Sequence, residues 1–471
     1  MRTSGSRERR GTRARRPGSR HAGARAVVAI AVLAGAAALL LASAAQPQPR
    51  AGGPRLATCF WEGPISTKRP TTRGFDGRNF NFPEESATYW LARFNLPQGS
   101  HLRLRGRYPH GRYMSLNSYS GGAPTDALSD IVIRPLPGST NPFIAGHRRD
   151  LPRRGWSVAV LDQSPPAEGS QRAPNTLYAQ PGGGASIELL YRVYEPDRGL
   201  DLTGGTGLPR PRLRLANGSV LRDKAACAAV NDPNREITVD TTPEVQWKAG
   251  RGAPGCDPAT NPAYDPPRWE RFFTYEYAAL GVITDCTEAG RTARHQMTPA
   301  PQGGNYSNRD SAYVYVHLSR LFGPVVVLNG KLPRTPRTRR GQRIMGSGQL
   351  RFWSLCSGES RVTTRTPDCL ADRQVPVGPE RRYTIVVSKL ADRPANARRR
   401  CGVAWLRWGD RGDGVGDPNY GLLIMRNMLA SPGFARAIQR VSEAGTEAEV
   451  MGDYLPQTKY TTRQGFESRG C

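Results

Sequence analysis

Four aspartates stand in two matching pairs, Asp126 with Asp130 and Asp368 with Asp372, each pair four residues apart beside a strand-like run. Paired carboxylates are what glycoside cleavage requires, one as acid and one as base or nucleophile, about 5–10 Å apart across a cleft. The same spacing serves a turn or an arginine partner, and Arg112 and Arg351, each just before a strand-like run, are at hand. Structural use is the expectation for all four. A sharper candidate is the loop at residues 137–150, which carries Phe143, His147, Arg148 and Arg149. An aromatic ring beside a histidine and two guanidinium groups can hold an anionic or sugar-like ligand by stacking and charge-assisted hydrogen bonds. A third cluster, residues 409–417, places Asp410, Asp413 and Asp417 among glycines, an oxygen-rich loop of the kind calcium accepts. It lacks the alternation and closing glutamate of an EF-hand loop, so a solvated turn is expected; Arg411-Gly412-Asp413 within it is read as an accidental tripeptide.

No GxSxG, HExxH, Walker loop or SxxK motif occurs. There is no CxxC and the six histidines are scattered, which argues against structural zinc. No catalytic residue, metal or cofactor is therefore assigned.

The elements that position these residues are announced twice. Ser86-Ala87-Thr88-Tyr89-Trp90 returns as Ser311-Ala312-Tyr313-Val314-Tyr315, Arg112-Tyr113-Met114-Ser115-Leu116 as Arg351-Phe352-Trp353-Ser354-Leu355, and Trp156 to Val160 as Tyr383 to Val387, with the aspartate pairs in step between them. A period this long excludes a solenoid and points to two related domains from a duplicated module. Short β-branched and aromatic runs broken by Gly, Pro, Asn and Asp give the expected fold class. It is mainly β, two tandem related antiparallel β-sandwich or jelly-roll-like domains with a few short helices, preceded by an N-terminal apolar helix.

The expected boundaries are a signal peptide or transmembrane anchor at 1–45, a Pro/Gly-rich lead-in at 46–75, a first domain at 76–239, a linker at 240–267 and a second domain at 268–471. Asn217-Gly218 predicts a two-residue hairpin. Helices are expected from Asp265 to Leu280 with a stop at Gly281, from Gly421 to Met428 and from Pro432 to Ser442, the last two on apolar residues at helical spacing.

Residues 1–25 carry nine arginines against Glu8, and Ala26 to Ala45 is an apolar run. Ala42-Ser43-Ala44 offers a cleavage site, while the length of the run also suits an uncleaved membrane anchor. Both readings send the rest of the chain out of the cytoplasm. The eight cysteines all lie beyond this segment and read as disulfides, with 105 pairings open. Cys356 and Cys369, near the ends of adjoining strand-like runs, are expected to pair. The formal net charge of +28 speaks to solubility and non-specific binding before any specific partner; taken with export and the lack of a catalytic constellation, it makes an anionic envelope polymer or glycan the partner considered, and no specific nucleic acid is expected.

Arg105-Gly106-Arg107-Tyr108-Pro109, Arg112-Tyr113-Met114-Ser115, Asp201-Leu202-Thr203-Gly204-Gly205, Asp392-Arg393-Pro394-Ala395-Asn396 and Arg426-Asn427-Met428-Leu429 resemble a group of uncharacterised exported proteins of high-GC bacteria. The resemblance implies export and supplies no activity. The leading expectation is a non-enzymatic envelope protein that binds an extracytoplasmic ligand, with an exported glycan hydrolase and a structural envelope component as alternatives.

Overall fold

The computed structural model describes residues 58–65, 79–167, 169–180, 186–230, 241–297 and 306–471. The apolar segment 26–45 lies outside the described residues, and among those described no helix is long and apolar enough to cross a membrane. The chain is mainly β. The first half contains β1 (Glu62–Ile65), β2 (Ala87–Phe94), β3 (His101–Arg107), β4 (Tyr113–Ser120), β5 (Ala123–Ser129), β6 (Gly155–Leu161), β7 (Thr176–Tyr178), β8 (Ile187–Tyr194), β9 (Arg210–Arg214) and β10 (Val220–Arg222). The second contains β11 (Glu270–Arg271), β12 (Ser311–Ser319), β13 (Val325–Lys331), β14 (Phe352–Gly358), β15 (Asp368–Ala371), β16 (Arg382–Ser388), β17 (Val403–Arg407), β18 (Tyr420–Met428) and β19 (Gln457–Thr461).

These strands form four sheets, in the orders β1-β2-β8-β4-β5, β10-β9-β3-β6-β7, β11-β12-β18-β14-β15 and β17-β16-β13-β19. The first and third orders match strand for strand, and so do β9-β3-β6-β7 and β19-β13-β16-β17. Each outer sheet contains one parallel pair, β6 with β7 and β16 with β17, so the expected all-antiparallel ladder is corrected at these two places. The chain between β6 and β7 crosses over instead of turning back, and a crossover is what parallel pairing requires.

Alternation sets the faces. Leu102, Leu104, Trp156, Val158 and Val160 point inward from β3 and β6 and meet Trp90, Leu116 and Tyr191 of the facing sheet. In the second half Leu328, Ile385 and Leu406 meet Val314, Trp353 and Met425. Gly106 lies under the Trp156 ring, where a Cβ would sit 2.4 Å from a ring carbon, and Gly330 lies likewise under Tyr383 at 2.8 Å. The two remaining faces, of β2-β8-β4 and β12-β18-β14, pack on each other through Tyr113, Tyr194, Phe352 and Met428. These middle strands are therefore buried on both sides.

Helices are short: α1 (Asp223–Ala229), α2 (Glu244–Arg251), α3 (Tyr275–Thr284), α4 (Glu288–His295), α5 (Glu447–Met451) and α6 (Arg463–Glu467). Three sequence expectations are corrected. Gly421 to Met428 belongs to the central strand β18, paired on both edges, and its helix-like apolar spacing reflects burial of both faces. Within Pro432 to Ser442 only Ile438–Arg440 forms a 3-10 turn. The helix expected from Asp265 begins ten residues later, where the Thr274 hydroxyl accepts a bond from the Tyr277 N–H. Residues 240–267, read as a linker, carry α2 with Trp247 buried. Asn217-Gly218 lies in the β9–β10 turn, but Arg214 pairs with Val220 and the Leu215 N–H donates to the Ser219 carbonyl, so the loop has three residues, 216–218, and not the expected two. Disulfides join Cys59 to Cys227, Cys256 to Cys286, Cys356 to Cys369 and Cys401 to Cys471. Cys356 and Cys369 lie directly opposite on β14 and β15.

Candidate functional site

Where the two inner sheets face each other, a cavity of about 180 Å³ remains, bounded by both halves of the chain. Strand alternation explains its lining. On β8 the residues between the core positions Leu189, Tyr191 and Val193 are Leu190, Arg192 and Tyr194, and on β12 the residues between Val314, Val316 and Leu318 are Tyr315 and His317. Tyr89 from β2, Tyr313 from β12 and Arg426 from β18 join them, and Phe82, Phe272, Leu422 and Ile424 supply apolar wall.

Arg192 is the unusual group. Nη1 donates to Asn117 Oδ1 at 2.6 Å, and Nη2 donates to the Tyr119 hydroxyl at 2.7 Å and the Tyr306 carbonyl at 2.6 Å. It is buried, yet it makes no ion pair among the described residues. Burial works against its charge, and the oxygens of Tyr119, Tyr194 and Tyr89 more than offset this, so its pKa rises. Arg426 stands at the matching place in the other half, 3.3 Å from Glu84 and donating to the Phe82 carbonyl at 2.5 Å. Each guanidinium lies 5.7 Å from a tyrosine ring centre, Arg192 over Tyr89 and Arg426 over Tyr313.

Three hydroxyls meet here. Burial, then the nearby Tyr89 and Tyr313, push the Tyr194 hydroxyl well above its ordinary pKa. The Tyr89 hydroxyl accepts from the Glu84 N–H at 3.0 Å and has its own proton to give. Among the described residues, neither the Tyr194 nor the Tyr313 hydroxyl has a hydrogen-bond partner. His317 Nδ1 sits 2.8 Å from the Tyr420 hydroxyl, and Nε2 has no protein partner among those residues. Burial, followed by Arg361, Arg251 and Arg294, lowers His317 to about 3, so the ring is neutral at physiological pH and a weak base. The arrangement can bind an oxyanion or hydroxyl-bearing head in the presence of an apolar body.

The sequence-predicted residues lie elsewhere. Phe143 is in the first core, edge-on to Tyr108 at 6.0 Å with Arg351 above it at 5.9 Å. His147 is exposed, its Nδ1 3.0 Å from the Asn141 carbonyl, and Arg148 pairs with Asp150 at 2.9 Å. Arg149 is buried, donating to Asp197 at 2.6 Å and to the carbonyls of Gly111, Thr338 and Gln342. The four side chains do not converge on one surface. Their loop docks on the second half instead, Gly146 N–H to Met345 O at 2.8 Å and Arg149 N–H to Arg343 O at 2.7 Å.

Each candidate carboxylate is engaged. Asp126 takes a two-pronged contact from Arg172, at 2.9 and 2.6 Å, and Asp368 accepts from the Arg407 N–H at 2.9 Å. The other two form reciprocal bridges between the halves. Arg112 reaches Asp372 at 2.5 Å and Arg351 reaches Asp130 at 3.1 Å, while Arg112 also holds Glu195 at 2.7 Å. Asp413 is buried, accepting from Trp247 Nε1 at 3.0 Å, and Asp417 pairs with Arg251 at 2.7 Å; within the tripeptide Arg411 is exposed, but the Asp413 carboxylate is not presented to solvent. Glu270 of β11, Asp285 just after α3 and His295 of α4 bring ligand-type atoms together, but Arg294 Nη2 donates to both carboxylates and holds the place a cation would take. In the other such group, with Glu84, the two sulfur atoms of Cys356 and Cys369 are bonded to each other.

No family model and no curated protein sequence matches the chain. Among solved structures it is similar to an uncharacterised protein of Burkholderia cenocepacia, at 13% identity and a TM-score of 0.41 over 87% of this chain and 84% of that one. It is also similar to the VPA0106 protein of Vibrio parahaemolyticus, at 12% identity and a TM-score of 0.38 over 84% of this chain and 95% of that one.

Proposed function

We propose that this is an exported cell-envelope protein, secreted or anchored through residues 26–45, that binds a small extracytoplasmic anion in the cavity between its inner sheets and does not convert it. We read the two pairs of sheets as tandem related sandwiches, with the cavity at their joint. The observation that carries the proposal is Arg192: a buried guanidinium that makes no ion pair among the described residues, beside the Tyr194 and Tyr313 hydroxyls, which have no hydrogen-bond partner among them. A buried charge is normally paired, and an incoming carboxylate would complete this one. Four disulfides are consistent with the oxidising address.

Size narrows the ligand. An apolar protein cavity of about 150 Å³ admits benzene, so about 180 Å³ suits a single ring or short branched chain bearing one carboxylate. A glycan chain is too large for this cavity. The test is calorimetric titration of the purified full chain with benzoate, phenylacetate and isovalerate, with benzyl alcohol as the uncharged comparison. Binding of at least one acid, weaker binding of the alcohol, a loss of about tenfold or more in Arg192→Gln and a loss of about two- to tenfold in Tyr313→Phe are expected. No binding by any of the acids, or affinity unchanged in both variants, overturns the proposal.

A further inference from the structure

The outward face of the β10-β9-β3-β6-β7 sheet carries arginines in register. Arg103, Arg105 and Arg107 alternate outward along β3 while Leu102 and Leu104 enter the core; Arg210, Arg212 and Arg214 do the same on β9 about Pro211 and Leu213. The ladder sets Arg103 opposite Arg212 and Arg105 opposite Arg210, and β10 adds Arg222 opposite Arg212. Directly opposed like charges, about 5 Å apart at Cβ, destabilise a sheet. None of Arg103, Arg105, Arg210, Arg212, Arg214 and Arg222 makes an ion pair among the described residues, and the bordering Asp162 and Asp223 make none either. Elsewhere exposed arginines do find carboxylates, as Arg148 with Asp150, Arg382 with Asp453 and Arg463 with Glu467. On the other side of β3, the positions facing Arg107, Arg105 and Arg103 are Gly155, Ser157 and Ala159, too small to cover them.

We infer that this face is a docking track for a linear polyanion bearing phosphate or carboxylate groups, a surface separate from the cavity and independent of its ligand. The arginines form two adjoining rows along β3 and β9, a stripe and not a broad disc. Successive rungs lie two residues apart, about 6.6 Å along the strand. An extended chain with one oxyanion per such interval can lie between the rows, each anion bridging a pair of guanidinium groups and cancelling their repulsion. Guanidinium forks suit both kinds of oxyanion.

The experiment measures binding of the full chain to medium-length inorganic polyphosphate and to polygalacturonate at several salt concentrations. The array variant Arg103→Gln/Arg105→Gln/Arg212→Gln is compared with Arg399→Gln/Arg400→Gln/Arg440→Gln, which removes the same charge from exposed positions elsewhere. The array variant should lose about tenfold or more in affinity, with a salt dependence shallower by about two to three released counterions, while the control changes less than about twofold. Its thermal midpoint should equal or exceed that of the parent, because opposed charges have been removed. Binding to one polymer identifies the anion. Equal losses in the two variants, no binding to either polymer, or binding only to phosphatidylglycerol vesicles overturns the inference.

Discussion

Arg112→Met tests whether the reciprocal bridges hold the two halves together. Methionine keeps much of the side-chain length and removes the charge. Arg112, Glu195 and Asp372 are exposed by only 3, 1 and 3% at their side chains, so the loss occurs out of reach of water. Glu195 retains Arg373 at 2.5 Å, whereas Asp372 loses its only ion pair among the described residues. Removing one partner of such a buried pair costs about 3–5 kcal/mol, because the other charge remains uncompensated. Arg382→Met is the calibration, since Arg382 and Asp453 are 53 and 54% exposed and such a pair is worth about 0–1 kcal/mol. Urea unfolding followed by tryptophan fluorescence measures both, with Trp90 and Trp156 in the first core and Trp353 and Trp408 in the second. If the lost stability comes from the stranded carboxylate, Asp372→Asn in the Arg112→Met background recovers part of it. An Arg112→Met protein within about 1 kcal/mol of the parent would refute the reasoning.

Burial pushes Asp130 up to about 7 in spite of Arg351, and burial likewise raises Glu270 to about 7 in spite of Arg294. Both folded values lie above the unfolded one, so the folded state holds more protons; their contribution to stability is complete below pH 4 and is lost as pH rises through 7. Asp130→Asn should flatten the fall in stability between pH 5 and 7.5 in urea titrations, and an unchanged slope contradicts the assignment. Gly106→Ala forces a methyl group into the Trp156 ring and should destabilise by about 1–3 kcal/mol, read as a lower urea midpoint; parental stability would show that the ring yields freely.

The strands were largely legible because core leucines and valines alternate with charges, as in β3, and because the aspartate and arginine pairs recur in one order. β18 was not, since Leu422, Leu423, Met425 and Met428 fill both faces of a central strand and spacing alone does not separate that from a helix. Asp265-Pro266 has the residue types of a helix cap, but Thr274 caps α3, so composition alone does not locate its N-terminus. The cavity escaped for a different reason. Tyr89, Arg192, Tyr313 and Arg426 are brought together by sheet register across the chain, and no local motif unites them. One signal was present: Ile187–Tyr194 reads as an apolar strand yet includes Glu188 and Arg192 on its second face, a sign that this face is covered by something polar. The loop with Phe143 and Arg149 has the composition of a binding loop, but Arg149 and the loop backbone serve the joint between the halves.

The exchanged bridges have the geometry of a two-fold dimer contained in one polypeptide. In a homodimer, residue and counterpart must be identical, and association weakens on dilution. Here the contact is intramolecular, so dilution does not release it, and each side of the joint is free to differ. That freedom is visible beside the two arginines: Asn117 and Tyr119 receive the guanidinium of Arg192, while the matching positions beside Arg426 are Cys356 and Gly358. A symmetric pair of subunits would have to offer a ligand two equal orientations. The fused joint carries no such requirement, and under the function proposed above this is what lets the cavity distinguish the head of its ligand from its tail.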